Sequence, residues 1–283
     1  MRIASVAPVG ELPKGRTVEI PGRGSTYVVD SGPSDGPTLI LLHALACTGM
    51  LTWYPSFGEL AKKGRVIVLD QRWHGRGIRS PRFELDDCAD DVVALADVLG
   101  VERIVPVGYS MGSIVAQLLW HRHRDRVEGL VLAAATAHFQ RASREKMAMA
   151  TINAGMGTLR PKAGPIQETN GAASDRLWAL REFTSTSYGA MGRAIAEIGK
   201  FDSTHWVGDI DVPTAVVVPT RDRIIPARRQ RWLARQIDGA ATYEIEGGHS
   251  SCVMQAPRFT EGLSAATTSV LARVRQSATR RER

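Results

Sequence analysis

One serine, in Gly108-Tyr109-Ser110-Met111-Gly112, stands where an apolar run ending at Val107 meets a helix-like run from Ser113 to Trp120. A hydroxyl adds nothing to a core, since it must find a partner wherever it is buried, so its placement calls for a chemical reason. G-x-S-x-G on a strand-to-helix turn is the nucleophile elbow: the serine sits exposed on a tight turn, and glycines flank it because a side chain there would clash with neighbouring backbone.

A neutral serine is a poor nucleophile. It needs a base to take its proton and a third group to hold that base in the right tautomer. After an elbow of this kind the acid and then the histidine follow along the chain. Of the seven histidines only His205 and His249 lie well beyond the serine and outside its own helix and strand region. His249 is the expected base, because it follows the last strand-like run in Glu246-Gly247-Gly248-His249, where glycines let a loop fold over the sheet edge. Asp222 is the expected acid, directly past the strand-like run Val216-Val217-Val218, at the end where catalytic groups collect in open α/β sheets; Asp202, Asp209 and Asp211 precede that strand. The oxyanion formed on attack needs two preorganised N–H donors. One is expected from the Met111 amide, at the positive start of a helix. The other is expected from the Leu45 amide, in the loop after the run Leu41-Leu42.

The elements that must carry these residues are legible in the same way. Short β-branched runs recur at 38–42, 66–69, 104–107, 130–134, 215–218 and 242–245, separated by segments of helical period such as 88–99. That alternation makes a parallel sheet wrapped by helices, and unbroken apolar runs suit strands buried on both faces. Upstream, the runs 18–20 and 26–29 flank Pro21-Gly22-Arg23-Gly24 and predict an antiparallel hairpin at a sheet edge. The rhythm breaks between His138 and Trp206. No strand signal appears there, and the length is too great for a plain loop, so residues 138–206 are expected to form a helical insertion between core segments 1–137 and 207–283.

Composition limits the class. With 283 residues, 43% apolar and 23% charged, the chain reads as a globular α/β protein with one large core. The net charge of +7 would suggest nucleic acid or an anionic membrane, but residues 273–283 carry five Arg against one Glu, and no nucleic-acid motif accompanies them. The reading is therefore a solvated helix end and frayed tail, with no nucleic-acid partner. Cys47, Cys88 and Cys252 have no metal spacing, so free thiols in a reducing compartment are expected and no metal. No signal-peptide core and no long apolar span is present, which leads to the expectation of a cytoplasmic protein without stable membrane insertion.

Taken together, these motifs resemble the α/β-hydrolase superfamily over about 38–137 and 212–263. His43-Ala44-Leu45 is similar to its His-Gly oxyanion loop and Asp70-Gln71-Arg72-Trp73-His74-Gly75-Arg76-Gly77 to its Asp-x-Arg-Gly-x-Gly turn, with the elbow, Asp222 and His249 following in order. The resemblance implies a mostly parallel eight-stranded sheet with helices on both faces and a helical cap formed by the insertion. It is nearest to esterases and enol-lactonases. A serine at the elbow argues against the haloalkane dehalogenases and epoxide hydrolases, which use aspartate there.

Two positions depart from the family pattern: Ala44 stands for glycine after the loop histidine, and Trp73 for glycine after Arg72. A left-handed Ala44 would cost about 1 to 2 kcal/mol and reshape the loop. The Asp70–Gly77 segment is expected to be a structural turn, with His74 buried and satisfied. In the insertion, Met147, Met149, Ile152, Met156, Leu159, Trp178, Phe183, Tyr188 and Met191 could roof an acyl pocket or simply form the cap's own core. The expected activity is a serine hydrolase on a small or medium apolar carboxylic ester, needing no cofactor. The alternatives are lactone, thioester or carbon–carbon hydrolysis or acyl transfer by the same residues, or a ligand-binding member of the fold with catalysis abandoned; oligomeric state is left open.

Overall fold

The computed structural model describes residues 6–33, 35–139 and 172–281. The β-branched runs become eight strands: β1 (Arg16–Ile20), β2 (Gly24–Asp30), β3 (Thr38–Leu42), β4 (Arg65–Leu69), β5 (Ile104–Tyr109), β6 (Leu130–Ala133), β7 (Thr214–Pro219) and β8 (Ala241–Ile245). They form one sheet in the order β1-β2-β4-β3-β5-β6-β7-β8. The expected hairpin is present, β1 antiparallel to β2 and β2 antiparallel to β4, and every other pairing is parallel.

Burial explains why the runs read as they do. Every residue of β5, β6 and β7 is buried, as are the last four of β3 and of β4. Covered on both faces, such strands need apolar residues at successive positions. The edge strands behave differently: β8 alternates exposed and partly covered positions until Ile245, and β1 buries only Val18 and Ile20.

The helices supply the two covering layers. They are α1 (Gly49–Ala61), α2 (Leu85–Val98), α3 (Met111–Arg122), α4 (Ala172–Thr184), α5 (Tyr188–Ile198), α6 (Ala227–Gln236), α7 (Ser251–Met254) and α8 (Ala256–Arg281). Ile40 and Leu42 face a core with α2, α3 and α6, whereas Leu39 and Leu41 face one with α1 and α8, as period-2 alternation requires. The helix expected over 88–99 starts at Leu85, whose side chain joins Cys88, Ala89, Val92, Leu95 and Ala96 on the buried stripe.

At the carboxyl end α8 runs to Arg281 rather than fraying early, and Arg273 is structural: its guanidinium donates to Thr214 O at 2.7 Å and Gly239 O at 2.8 Å. No helix among the described residues is long and apolar enough to cross a membrane.

Two features of this topology matter for the site. The chain steps from β3 outward to β4, then returns to the other side of β3 as β5, so the connections diverge above β3 and β5. Crevices form at such switch points, outside the carboxyl ends of the strands. Leu42 and Gly108 are register partners, so the loops leaving β3 and β5 start side by side there. The chain that runs on from β6 to His138 is also met by its return, since His138 bridges Asp202 and Ser203 N–H donates to Ala137 O at 2.7 Å. Of the insertion's apolar residues, Met147, Met149, Ile152, Met156 and Leu159 lie outside the described residues. Met191 is buried in the core on the α2/α3 side, Phe183 packs partly against it, and Tyr188 is 63% exposed.

Candidate active site

Ser110 sits between β5 and α3 with φ 52° and ψ −111°, a left-handed conformation for a residue with a Cβ. Such backbone costs on the order of 1–3 kcal/mol and persists only where surroundings impose it. Here its N–H donates to Ala133 O at 3.0 Å, and its carbonyl accepts from Ser113 N at 2.9 Å and Ser113 Oγ at 2.6 Å. The glycines are required by contact. A Cβ on Gly108 would lie 2.3 Å from Gly112 O, and one on Gly112 would lie 2.0 Å from Leu42 O.

The fold brings Ser110, His249 and Asp222 together. Ser110 Oγ lies 2.9 Å from His249 Nε2, and His249 Nδ1 lies 2.7 Å from Asp222 Oδ2. Facing a carboxylate, Nδ1 carries the ring proton, which leaves the Nε2 lone pair for the serine hydroxyl. Asp222 is held by more than the histidine: Oδ1 accepts from the Ile224 and Ile225 amides, each at 2.8 Å, and Oδ2 accepts from Gln230 Nε2 at 3.3 Å. The carboxylate side chain is fully covered while that of His249 keeps 16% exposure, so the relay runs from the interior toward solvent. The rejected candidates lie elsewhere: His205 is exposed, and Asp211 accepts from Trp120 Nε1 at 3.2 Å ahead of β7.

Two supporting residues escaped the sequence reading. Tyr109, next to the serine, donates its hydroxyl to His249 O at 2.7 Å and so ties the histidine loop to the elbow strand. Burial raises its phenol well above the ordinary range, which keeps it a donor. Gln230 is buried on α6 behind Asp222 and donates also to Ile225 O at 2.7 Å. The adjacency of Tyr109 to Ser110 was visible in the sequence. Nothing there linked Gln230 to Asp222.

The loop after β3 is pinned at its base. His43 Nδ1–H donates to Ala44 O at 2.8 Å, His43 Nε2 accepts from Gln71 N–H at 2.8 Å, and Gln71 Nε2 donates to His43 O at 2.8 Å. The Ala44 amide goes to Thr52 Oγ1 at 3.3 Å, and the Cys47 amide to Ala44 O at 3.2 Å. No acceptor among the described residues takes the amides of Leu45 or Met111. Ala44 does not enter the left-handed region, so the cost that a left-handed Ala44 would carry does not arise there; Ala46, two residues on, adopts φ 64°. Trp73, the other departure, does adopt it, with φ 65°. Its indole N–H is held by Ser80 O at 3.0 Å.

The Asp70–Gly77 segment is a turn stitched to its surroundings. Buried Arg72 grips Asp91 on α2 through Nε at 2.8 Å and Nη2 at 2.7 Å. His74 is buried as expected but only half satisfied: Nδ1–H donates to Arg72 O at 2.9 Å, while Nε2 has no partner among the described residues. Burial pushes His43 down to about 4 and His74 to about 3, so both rings are neutral at pH 7.

The three cysteines are free thiols. Burial pushes Cys47 up to about 11 and raises Cys88 and Cys252 further, so none competes as a thiolate nucleophile. Among the described residues no three His, Cys, Asp or Glu side chains gather as a metal site would need.

Comparison with known proteins agrees with this architecture. The chain is 29% identical over 244 residues to the magnesium-chelatase 30 kDa subunit of Rhodobacter capsulatus, covering 79% of this chain and 84% of that protein. It is 28% identical over 245 residues to the pimeloyl-[acyl-carrier protein] methyl ester esterase of Chromobacterium violaceum, covering 81% and 93%. The crystal structure of the enol-lactonase from Burkholderia xenovorans LB400 superposes with a TM-score of 0.72 at 22% identity, covering 89% of this chain and 100% of that one. A model of the alpha/beta hydrolase family matches residues 39–262, and the chain belongs to that family.

Proposed function

We propose that the chain is a serine hydrolase that cleaves a small or medium apolar carboxylic ester through an acyl-enzyme intermediate. The observation that carries this reading is the continuous relay from Ser110 Oγ through the His249 ring to Asp222, with steps of 2.9 and 2.7 Å. In this reading Ser110 attacks the ester carbonyl while His249 Nε2 takes its proton, and Asp222 steadies the imidazolium and fixes its tautomer. The tetrahedral oxyanion is received by the Leu45 and Met111 amides, which have no acceptor to give up among the described residues. Each such donor contributes about 3 kcal/mol of barrier lowering. His249 then protonates the departing alkoxide, and a water activated by the same imidazole releases the acid and restores the serine.

The relative named as a methyl ester esterase supports the choice of an ester. In this reading residues 138–206, of which 140–171 lie outside the described residues, serve as a helical cap, and His138 and Asp202 near its two ends form a bridge. Ser110→Ala tests the proposal. The purified variant is expected to fold as the parent does, lose turnover of p-nitrophenyl esters and resist labelling by a fluorophosphonate probe. Unchanged hydrolysis by that variant would refute it.

A further inference from the structure

The residues between the oxyanion loop and α1 make contacts that the relay does not use. Thr48 follows the loop directly, and its hydroxyl oxygen caps α1 by accepting from the Leu51 amide at 3.1 Å. The same hydroxyl donates its proton to Glu182 on α4, 134 positions away in sequence. The neighbouring Gly49 amide donates to Asp70 Oδ1 at 2.8 Å. Arg76 spans both carboxylates, with Nε 3.3 Å from Asp70 Oδ2 and Nη2 3.6 Å from Glu182 Oε2. Two more contacts seat this part of the insertion on the core: Gly75 N–H donates to Thr186 Oγ1 at 3.1 Å, and Trp178 meets Tyr54 edge-on with ring centres 5.1 Å apart.

The two carboxylates differ in where they come from. Asp70 belongs to the turn after β4 and is fixed in the core, so Gly49 keeps its partner wherever α4 sits. Thr48 is 1% exposed, and its hydroxyl proton has no acceptor among the described residues other than Glu182. A buried donor left without an acceptor is costly, and a shift of the local backbone that brings it another acceptor relieves that cost. The backbone in question is the six-residue loop from His43 to Thr48, between β3 and α1.

We propose that Glu182 is a positioning residue for the oxyanion loop: docking of α4 onto the core clamps Thr48 and so sets the Leu45 amide toward Ser110. The proposal rests on the serine-ester reading above and adds to it a coupling between the insertion and the donor that stabilises the transition state. Glu182 touches no reacting atom. Its effect belongs to kcat, because an oxyanion donor acts on the transition state and not on the bound ester.

The test uses the full chain with Glu182→Ala and Glu182→Gln, two readouts, and a fluorophosphonate control. Glu182→Ala is expected to lower kcat on p-nitrophenyl acetate about tenfold with KM held within about twofold. Glu182→Gln retains an oxygen that accepts from Thr48 and is expected to keep most of the activity. Independently of turnover, hydrogen–deuterium exchange of residues 43–52 is expected to quicken in Glu182→Ala. A probe-labelled wild type whose Glu182→Ala variant shows unchanged kcat, or unchanged exchange over 43–52, overturns this inference and leaves the serine reading intact. A loss confined to KM that grows with acyl length also overturns it, since that pattern marks substrate contact. A wild type left unlabelled overturns the serine reading itself, and the positioning role of Glu182 with it.

Discussion

Asp222→Asn offers the sharpest check on the relay, because the structure dictates how the amide must lie. Asp222 Oδ1 accepts two backbone N–H groups, from Ile224 and Ile225, at 2.8 Å each. An asparagine must keep its oxygen there, since turning its NH₂ toward two amide donors would leave three groups with no acceptor. The NH₂ is therefore forced into the place of Oδ2, 2.7 Å from His249 Nδ1. A donor at that point selects the tautomer with the proton on Nε2, and Nε2 then presents N–H to Ser110 instead of a lone pair. The base is lost while shape and volume are nearly conserved. The expected fall in kcat is on the order of 10³–10⁴-fold, or about 4 to 5.5 kcal/mol of barrier. Stability should change by only about 1–2 kcal/mol, because both isoleucine amides keep their acceptor and only the histidine and Gln230 bonds are altered. Initial rates on p-nitrophenyl butyrate, normalised to folded protein by circular dichroism, measure the first quantity, and a urea titration measures the second. A folded variant that kept a tenth or more of the parent kcat would refute the assignment of Asp222 and the tautomer argument together.

Other consequences follow from strain and burial. Ser110→Gly removes the only Cβ at φ 52° on the elbow and should raise stability by about 1 kcal/mol while abolishing probe labelling; a lower melting temperature would contradict the strain argument. His43 and His74 are buried neutral, with values near 4 and 3, whereas an unfolded histidine titrates near 6.5. Below pH 6.5 the unfolded chain takes up protons that the native chain refuses until pH 4 and then pH 3, so stability falls as pH drops through that window. Urea midpoints at pH 7 and pH 5 should show the loss. His74→Asn, which keeps a donor for Arg72 O, should flatten the slope between them, and an unaltered slope would remove His74 from the account.

The sequence by itself settled what local chemistry and backbone geometry dictate. Successive apolar residues in 39–42, 104–107 and 215–218 read as strands covered on both faces, and each of these runs is buried in the sheet. Gly108 and Gly112 announced a turn with no room for a side chain, and the contacts a Cβ would make there, 2.3 and 2.0 Å, give the reason. Ser110, Asp222 and His249 could be singled out because each follows a strand, and parallel strands deliver their carboxyl ends to one rim.

Tertiary structure decided everything that depends on partners distant in sequence. That Tyr109 holds the backbone of His249, that Gln230 stands behind Asp222, and that Thr48 meets Glu182 are consequences of packing between elements 8 to 140 residues apart. The loop after β3 makes the same point on a smaller scale. Ala44, standing where the family pattern has glycine, gave reason to expect strain at that residue, yet the left-handed conformation falls on Ala46, because Gln71 and Thr52 pin the backbone at 43–44 and the chain must turn after them. A residue type constrains its own φ and ψ, but which residue of a loop must turn is set by the groups that hold the loop's ends, and those arrive only when the chain has folded.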